Sequence, residues 1–135
     1  MRLPFFVYGT LRPGECNHDL FLRGRTVAEE AARLAGAVLY EGPGYPYAVE
    51  EDEGVVYGEL VTAAPDAYDR LLAGLDRLEG YAPGDPANLY ERVARPVTCG
   101  DGRVVRAWVY VAAPAVAADL RANGKPIEGG AWTAS

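Results

Sequence analysis

The stretch VVYGELVTAAPDAYDRLLAGLDRLEG, residues 55–80, decides the fold class. Its first part sets Val55, Tyr57, Glu59 and Val61 in strict alternation, the period of a half-buried strand. The period then changes. Pro65 stands where a first helical turn tolerates proline, Asp66 and Asp69 follow where the helix dipole favours anions, and Leu71, Leu72, Leu75 and Leu78 recur at helical spacing before Gly80. This predicts a strand over Val55–Thr62 and a helix over Pro65–Glu79. It is the one convincing helix in the chain.

Outward from it, strands dominate. Leu3–Tyr8 is apolar, aromatic and β-branched, and Gly9–Glu15 follows as Gly/Pro punctuation, so a buried first strand runs into a turn-rich loop. Asn17–Arg23 is long enough for one or two helical turns. Between Thr26 and Tyr40 the signals conflict: Ala-Glu-Glu-Ala-Ala-Arg-Leu favours helix, Ala37–Tyr40 favours strand, and Gly36 divides them. Propensity leaves Thr26–Leu34 open. Glu41–Gly44 is a turn and Tyr45–Glu50 a short strand; beyond the helix, Tyr81–Asn88 reads as a loop. Tyr90–Thr98 and Val104–Ala112 form a hairpin across Gly100-Asp101-Gly102, Pro114–Ala122 a short helix, and Asn123–Ser135 a Gly-rich tail containing Trp132. With little βα alternation, the expected class is α+β, built on a mostly antiparallel or mixed, barrel-like sheet.

Composition bounds the function. The chain has 135 residues, 50% hydrophobic and 24% charged, without internal repeat or low-complexity tract, and is expected to form a single domain over 1–135. A chain of this length buries about two-thirds of its unfolded surface and needs no disulfide or metal staple. Its net charge of -6 is the wrong sign for a phosphate backbone or an anionic membrane, so neither is an expected partner. The apolar run Leu3–Tyr8 is cut short by Gly9, with no cleavage signature after it and no longer run elsewhere, which points to the cytoplasm. In that compartment Cys16 and Cys99 are expected as free thiols.

Chemistry has few places to reside. On a helical wheel Tyr68, Leu71, Leu72 and Leu78 lie within about 60° of Leu75, and Glu79 falls about 40° from it, inside the apolar stripe. A carboxylate carried there loses hydration, which raises its pKa and suits it to shuttle protons near neutrality. The alternative is that the helix frays before Gly80 and Glu79 turns to water. The loop Gly9–Gly14 has the glycine spacing of a phosphate-binding loop, but Glu15 and Cys16 stand where that motif needs Lys and Ser or Thr. Its N–H groups would serve a carboxylate or an oxyanion instead, unless it is an ordinary turn. Arg12 beside it is a candidate partner for an anionic substrate. His18, the only histidine, has no geometry that pairs it with a cysteine nucleophile, and Glu50–Glu53 reads as a solvated turn rather than a cation site. The tyrosines, nine in all, sit mostly in strand segments, where a few would line a pocket.

Val7-Tyr8-Gly9-Thr10-Leu11-Arg12-Pro13-Gly14, Leu75-Asp76-Arg77-Leu78-Glu79-Gly80-Tyr81, Tyr90-Glu91-Arg92-Val93 and Ala107-Trp108-Val109-Tyr110-Val111, in this order and separation, resemble the γ-glutamyl cyclotransferase-like family. The resemblance runs from Phe6 to about Trp132 and is nearest the γ-glutamylamine cyclotransferase and AIG2-like branch. It implies a compact mixed β-barrel flanked by helices, with strand rather than helix over Thr26–Leu34. It also implies a pocket between the first loop and the end of the main helix. There Tyr8, Gly9, Thr10 and Leu11 would grip a small-molecule γ-glutamyl substrate, Glu79 would be the catalytic acid/base and Tyr110 would line the pocket. The implied reaction releases 5-oxoproline without metal or organic cofactor. A non-catalytic γ-glutamyl-binding module, or removal of a γ-glutamyl protecting group from a biosynthetic intermediate, would use the same residues. Cys16 and Ala82–Leu89 match no pattern of the family, which leaves the leaving-group side unassigned.

Overall fold

The computed structural model describes residues 2–132. Five strands, β1 (Phe5–Val7), β2 (Thr26–Glu41), β3 (Pro46–Ala63), β4 (Tyr90–Cys99) and β5 (Val104–Ala112), close a barrel in the order β1-β3-β2-β4-β5. Neighbours are antiparallel except β1 and β5, which meet in parallel at Phe5 and Trp108. Two helices accompany the barrel, α1 (Tyr68–Leu78), entered through a 3₁₀ turn at Pro65–Ala67, and α2 (Pro114–Asn123). A π-helical turn over His18–Leu22 stands where one or two helical turns are expected.

The undecided stretch is strand. Ala28–Ala35 pairs antiparallel with Thr62–Val55, and Ala32 and Leu34 are buried between exposed neighbours. Helix propensity amounts to tenths of a kcal/mol per residue, which a continuous ladder with β3 overrides. The acidic run also differs from expectation. Tyr45–Glu50 and Val55–Thr62 do not form two strands around a turn at Glu50–Glu53; the chain continues through as one strand, and the register slips from Ala35 opposite Val55 to Ala37 opposite Glu50. This bulge has two glycine hinges. Gly36 takes φ +82°, and at Gly54 an added Cβ would lie 2.1 Å from the Ala37 carbonyl oxygen. The acids are partly neutralised, since Glu50 receives Arg95 at 2.8 and 3.0 Å and Glu51 accepts from the Tyr40 hydroxyl at 2.9 Å.

Alternation along β1 feeds two apolar clusters. Phe6 and Tyr8 join Leu34, Leu39, Val56, Leu60, Val97 and Val109, whereas Phe5 and Val7 join Val61 and the inner face of α1, namely Tyr68, Leu71 and Leu75. The wheel stripe is therefore the packed face of α1, with Leu72 and Leu78 half-buried at its margins. Tyr68 fixes the start of the helix by donating its hydroxyl to the Leu3 carbonyl at 2.7 Å. Both cysteines are free, Cys16 exposed and Cys99 buried. No helix among the described residues is long and apolar enough to cross a membrane.

Candidate active site

The end of α1 is built by sequence-local rules. Glu79 is its C-cap, with φ -81° and ψ -2°, and Gly80 follows in the left-handed region at φ +66°. The Tyr81 N–H donates to the Asp76 carbonyl at 2.8 Å and the Gly80 N–H to the Arg77 carbonyl at 3.2 Å, the paired bonds of a Schellman closure. Glycine meets the φ that this closure requires. The helix does not fray, and Glu79 is half-buried on the side of Leu75.

Glu79 opens onto a cavity of about 380 Å³. Tyr8, Gly9, Thr10 and Leu11 form one wall, and Leu75, Leu78, Glu79 and Gly80 form another. Tyr45 and Pro46 close it from the start of β3, Leu89 and Tyr90 from β4, and Tyr110 from β5. Tyr8, Gly9, Thr10, Leu11, Glu79 and Tyr110 thus lie on one surface, although the loop and Glu79 are about seventy positions apart in the chain. Glu79 is the one charged side chain among the lining residues, and no described side chain donates a hydrogen bond to its carboxylate. Loss of hydration pushes its pKa up to about 7. Its charge in turn adds to burial in raising the phenols of Tyr8, Tyr90 and Tyr110, while Tyr47, raised chiefly by burial, is pushed up to about 12.

The opposite wall offers donors. Among the described residues the N–H groups of Gly9, Thr10 and Leu11 meet no protein acceptor. The loop is braced from behind: the Arg12 N–H donates to the Gly9 carbonyl at 3.0 Å, and Asn17 donates its N–H to the Thr10 carbonyl and its amide to Thr10 Oγ1, both at 2.9 Å. Gly9 lies under Pro46, where an added Cβ would come within 2.9 Å of the proline Cδ.

The family described as gamma-glutamyl cyclotransferase, AIG2-like, matches residues 5–134. The chain belongs to that family. Within it, the chain is 36% identical over 107 residues to the gamma-L-glutamyl-butirosin B gamma-glutamyl cyclotransferase of Niallia circulans, covering 78% of this chain and 64% of the relative. It is 32% identical over 93 residues to a putative gamma-glutamylcyclotransferase of Halalkalibacterium halodurans, covering 69% and 78% of the two chains. In three dimensions it resembles the crystal structure of YkqA from Bacillus subtilis, with a TM-score of 0.66, 29% identity, and coverage of 98% of this chain but 40% of that one. The chain therefore spans less than two-thirds of the length of the butirosin relative and of YkqA.

In this γ-glutamyl cyclotransferase-like chain some predicted residues take parts that differ from their sequence reading. The Tyr8 ring lines the cavity, but its hydroxyl donates to the Tyr110 carbonyl at 2.5 Å and accepts from the Ala48 N–H at 3.3 Å, so it is fully occupied. Arg12 is turned away: it forks onto Glu59 at 2.8 and 3.1 Å and donates to the Trp132 carbonyl at 2.9 Å, which removes it as an anion partner in the cavity. His18 pairs with Glu29 at 2.7 Å, and neither it nor Cys16 lines the cavity. Of the unassigned stretch Ala82–Leu89, only Leu89 reaches the cavity, 50% exposed at its mouth. Asn88 closes the rest on itself through bonds to both backbone groups of Ala82 at 3.1 and 2.8 Å. Sequence reasoning did not single out Asn17, Tyr45, Pro46 or Tyr90 as site residues. Tyr90 carried a signal in its place in the Tyr-Glu-Arg-Val segment, and Tyr45 and Tyr90 are among the tyrosines of which a few are expected to line a pocket.

Proposed function

We propose that the protein cyclises a γ-glutamyl amide, releasing 5-oxoproline and a free amine, with Glu79 as the acid/base. One observation carries this reading: an unpaired carboxylate with a pKa near 7 shares a small cavity with a row of unpartnered backbone N–H groups. A γ-glutamyl substrate brings its own nucleophile, the α-amine, which is an ammonium at neutral pH and inert until deprotonated. Ionised Glu79 accepts that proton. The amine then attacks the γ-carbonyl to close a five-membered ring, an intramolecular step in which the protein supplies the folded conformation rather than a nucleophile. The N–H groups of Gly9, Thr10 and Leu11 receive the oxyanion of the tetrahedral intermediate; protonated Glu79 gives its proton to the leaving amine as the C–N bond breaks and, ionised again, takes the second proton from the ring nitrogen, which leaves a neutral lactam and a free amine.

Similarity to the butirosin enzyme favours a second reading of the same chemistry, in which a γ-glutamyl protecting group is removed from a biosynthetic intermediate. The test is 5-oxoproline release from γ-glutamyl-ε-lysine, γ-glutamyl amines, γ-glutamyl dipeptides and glutathione, with Glu79→Gln beside wild type. Glutamine keeps the shape but can neither accept nor return a proton, so turnover is expected to fall by about 10²–10⁴-fold. A folded Glu79→Gln protein that turns over normally overturns the assignment. Binding of γ-glutamyl compounds without ring closure by wild type would favour a module that only binds.

A further inference from the structure

Tyr110 lines the cavity, but its proton points elsewhere. The hydroxyl donates to Asp76 Oδ1 at 2.5 Å, and the same carboxylate takes two bonds from Arg92, Nε to Oδ1 at 2.9 Å and Nη2 to Oδ2 at 3.3 Å. Arg92 is clamped in turn, its guanidinium carbon 4.3 Å from the Trp108 ring centre and 5.4 Å from that of Tyr81. The Asp76 and Arg92 side chains are 20% and 14% exposed. A guanidinium only donates and a carboxylate paired with it only accepts, so the direction of every hydrogen in this network is settled. The remaining lone pair of the Tyr110 oxygen is the one available to the cavity.

Two neighbouring phenols also donate away from Glu79. Tyr90 donates to the Pro46 carbonyl at 2.8 Å, and Tyr8 to the Tyr110 carbonyl. The titratable side chains around Glu79 are Tyr8 from the loop, Tyr45 and Tyr47 at the start of β3, Tyr90 from β4 and Tyr110 from β5, with Asp76 three residues back on its own helix and paired with Arg92, and no cation is among the lining residues. A phenol that donated to Glu79 would stabilise its ionised form and occupy the lone pair that must take a proton.

We infer that Asp76, held by Arg92, is a positioning residue: by taking the Tyr110 proton it makes Tyr110 present a lone pair to the cavity instead of a hydrogen to Glu79. Under the cyclisation reading, on which this consequence rests, that lone pair receives the substrate's α-ammonium. Leucine at position 76, close to aspartate in size, would remove the acceptor on which Tyr110 and Arg92 Nε both converge, and the phenolic proton would turn into the cavity.

The experiment is a carbon-13 NMR titration of the Glu79 side-chain carboxyl in the ligand-free protein, for wild type, D76L, Y110F and the double variant. The wild-type midpoint is expected at about 7. Y110F is expected to hold it within about 0.3, and D76L to lower it by about one or more when Tyr110 is present but by less than half as much when combined with Y110F. Equal shifts in the two backgrounds overturn the proposal, because Asp76 would then act on Glu79 by charge alone. Should D76L not fold, Y110F decides: a midpoint raised by about one or more would show that the hydroxyl had been donating to Glu79. The titration needs no substrate, so these shifts in a protein that releases no 5-oxoproline would sink the cyclisation reading and leave this one standing. With an active protein, Y110F is also expected to raise KM about tenfold with kcat little changed, as for the loss of one hydrogen bond to a charged group; an unchanged KM overturns the ammonium contact.

Discussion

Ionising Glu79 costs the folded protein stability, and the sign follows from its shifted pKa. Its native value is about 7 against an ordinary 4.5, so between those pH values the native state holds a proton that the unfolded chain has released. Stability is therefore fully present below pH 4.5 and is lost as pH rises through 7. The contribution is at most about 3 kcal/mol, and less for a half-buried group that keeps some hydration. Glu79→Gln removes this dependence: thermal unfolding of the variant is expected to match wild type at pH 4 and to exceed it at pH 8, while activity is lost. Under the cyclisation reading the same pKa would set the acidic limb of kcat/KM in the wild type, which should rise with pH through about 7 as the base form appears. At this scale Glu79 was legible because a carboxylate in an apolar stripe is an anomaly that the wheel exposes. Asp76 was not. It sits on the polar margin of the same helix, and its partners Arg92 and Tyr110 come from two other strands.

The elements hold that residue in place. Gly80 closes α1 at φ +66° with open space around its Cα, so Gly80→Ala meets only backbone strain, about 1 kcal/mol. Urea unfolding should show that modest loss, whereas kcat should fall further than stability suggests, because the closure fixes where the carboxylate points. Unchanged kcat in a destabilised variant would mean that the cavity walls alone position Glu79. The helix end, the 100–102 hairpin and the loop after β1 were legible in the sequence, since each depends on residues within a few positions of one another. Thr26–Leu34 and Glu50–Glu53 were not legible from local signals, because Thr26–Leu34 finds its partners in Val56–Ala63 and Glu50 finds its own at Ala37, across a hairpin whose register is set by the bulge at Gly36 and Gly54.

At the scale of the whole molecule, the cavity exists because the barrel closes. β1 is only three residues long, yet it joins β3 to β5 and delivers the Tyr8–Leu11 loop to the end of α1. Its approach to β3 leaves no room at Gly58, where an added Cβ would lie 2.1 Å from the Val7 carbonyl oxygen and 3.1 Å from Phe6 Cζ. Gly58→Ala is expected to cost about 1–3 kcal/mol in urea unfolding, with weakened activity, because backbone rather than a flexible side chain must move. Gly100→Ala, at a glycine with open space and ordinary φ, should stay within about 0.5 kcal/mol.

By itself the sequence determined the helix and its polarity, the loop after the first strand, the late hairpin, the free thiols and the out-of-place carboxylate. All of these rest on local periodicity, on capping, or on residue types that are simply absent. Pairing with β3 made Thr26–Leu34 the strand that the family resemblance implied and propensity left open. Tertiary structure alone decided that the acidic run is a bulge inside β3, that Arg12 serves Glu59 instead of the cavity, and that the Tyr110 proton belongs to Asp76. Each of these is a choice between hydrogen-bond partners many residues apart, made by whichever groups the closed barrel brings within reach.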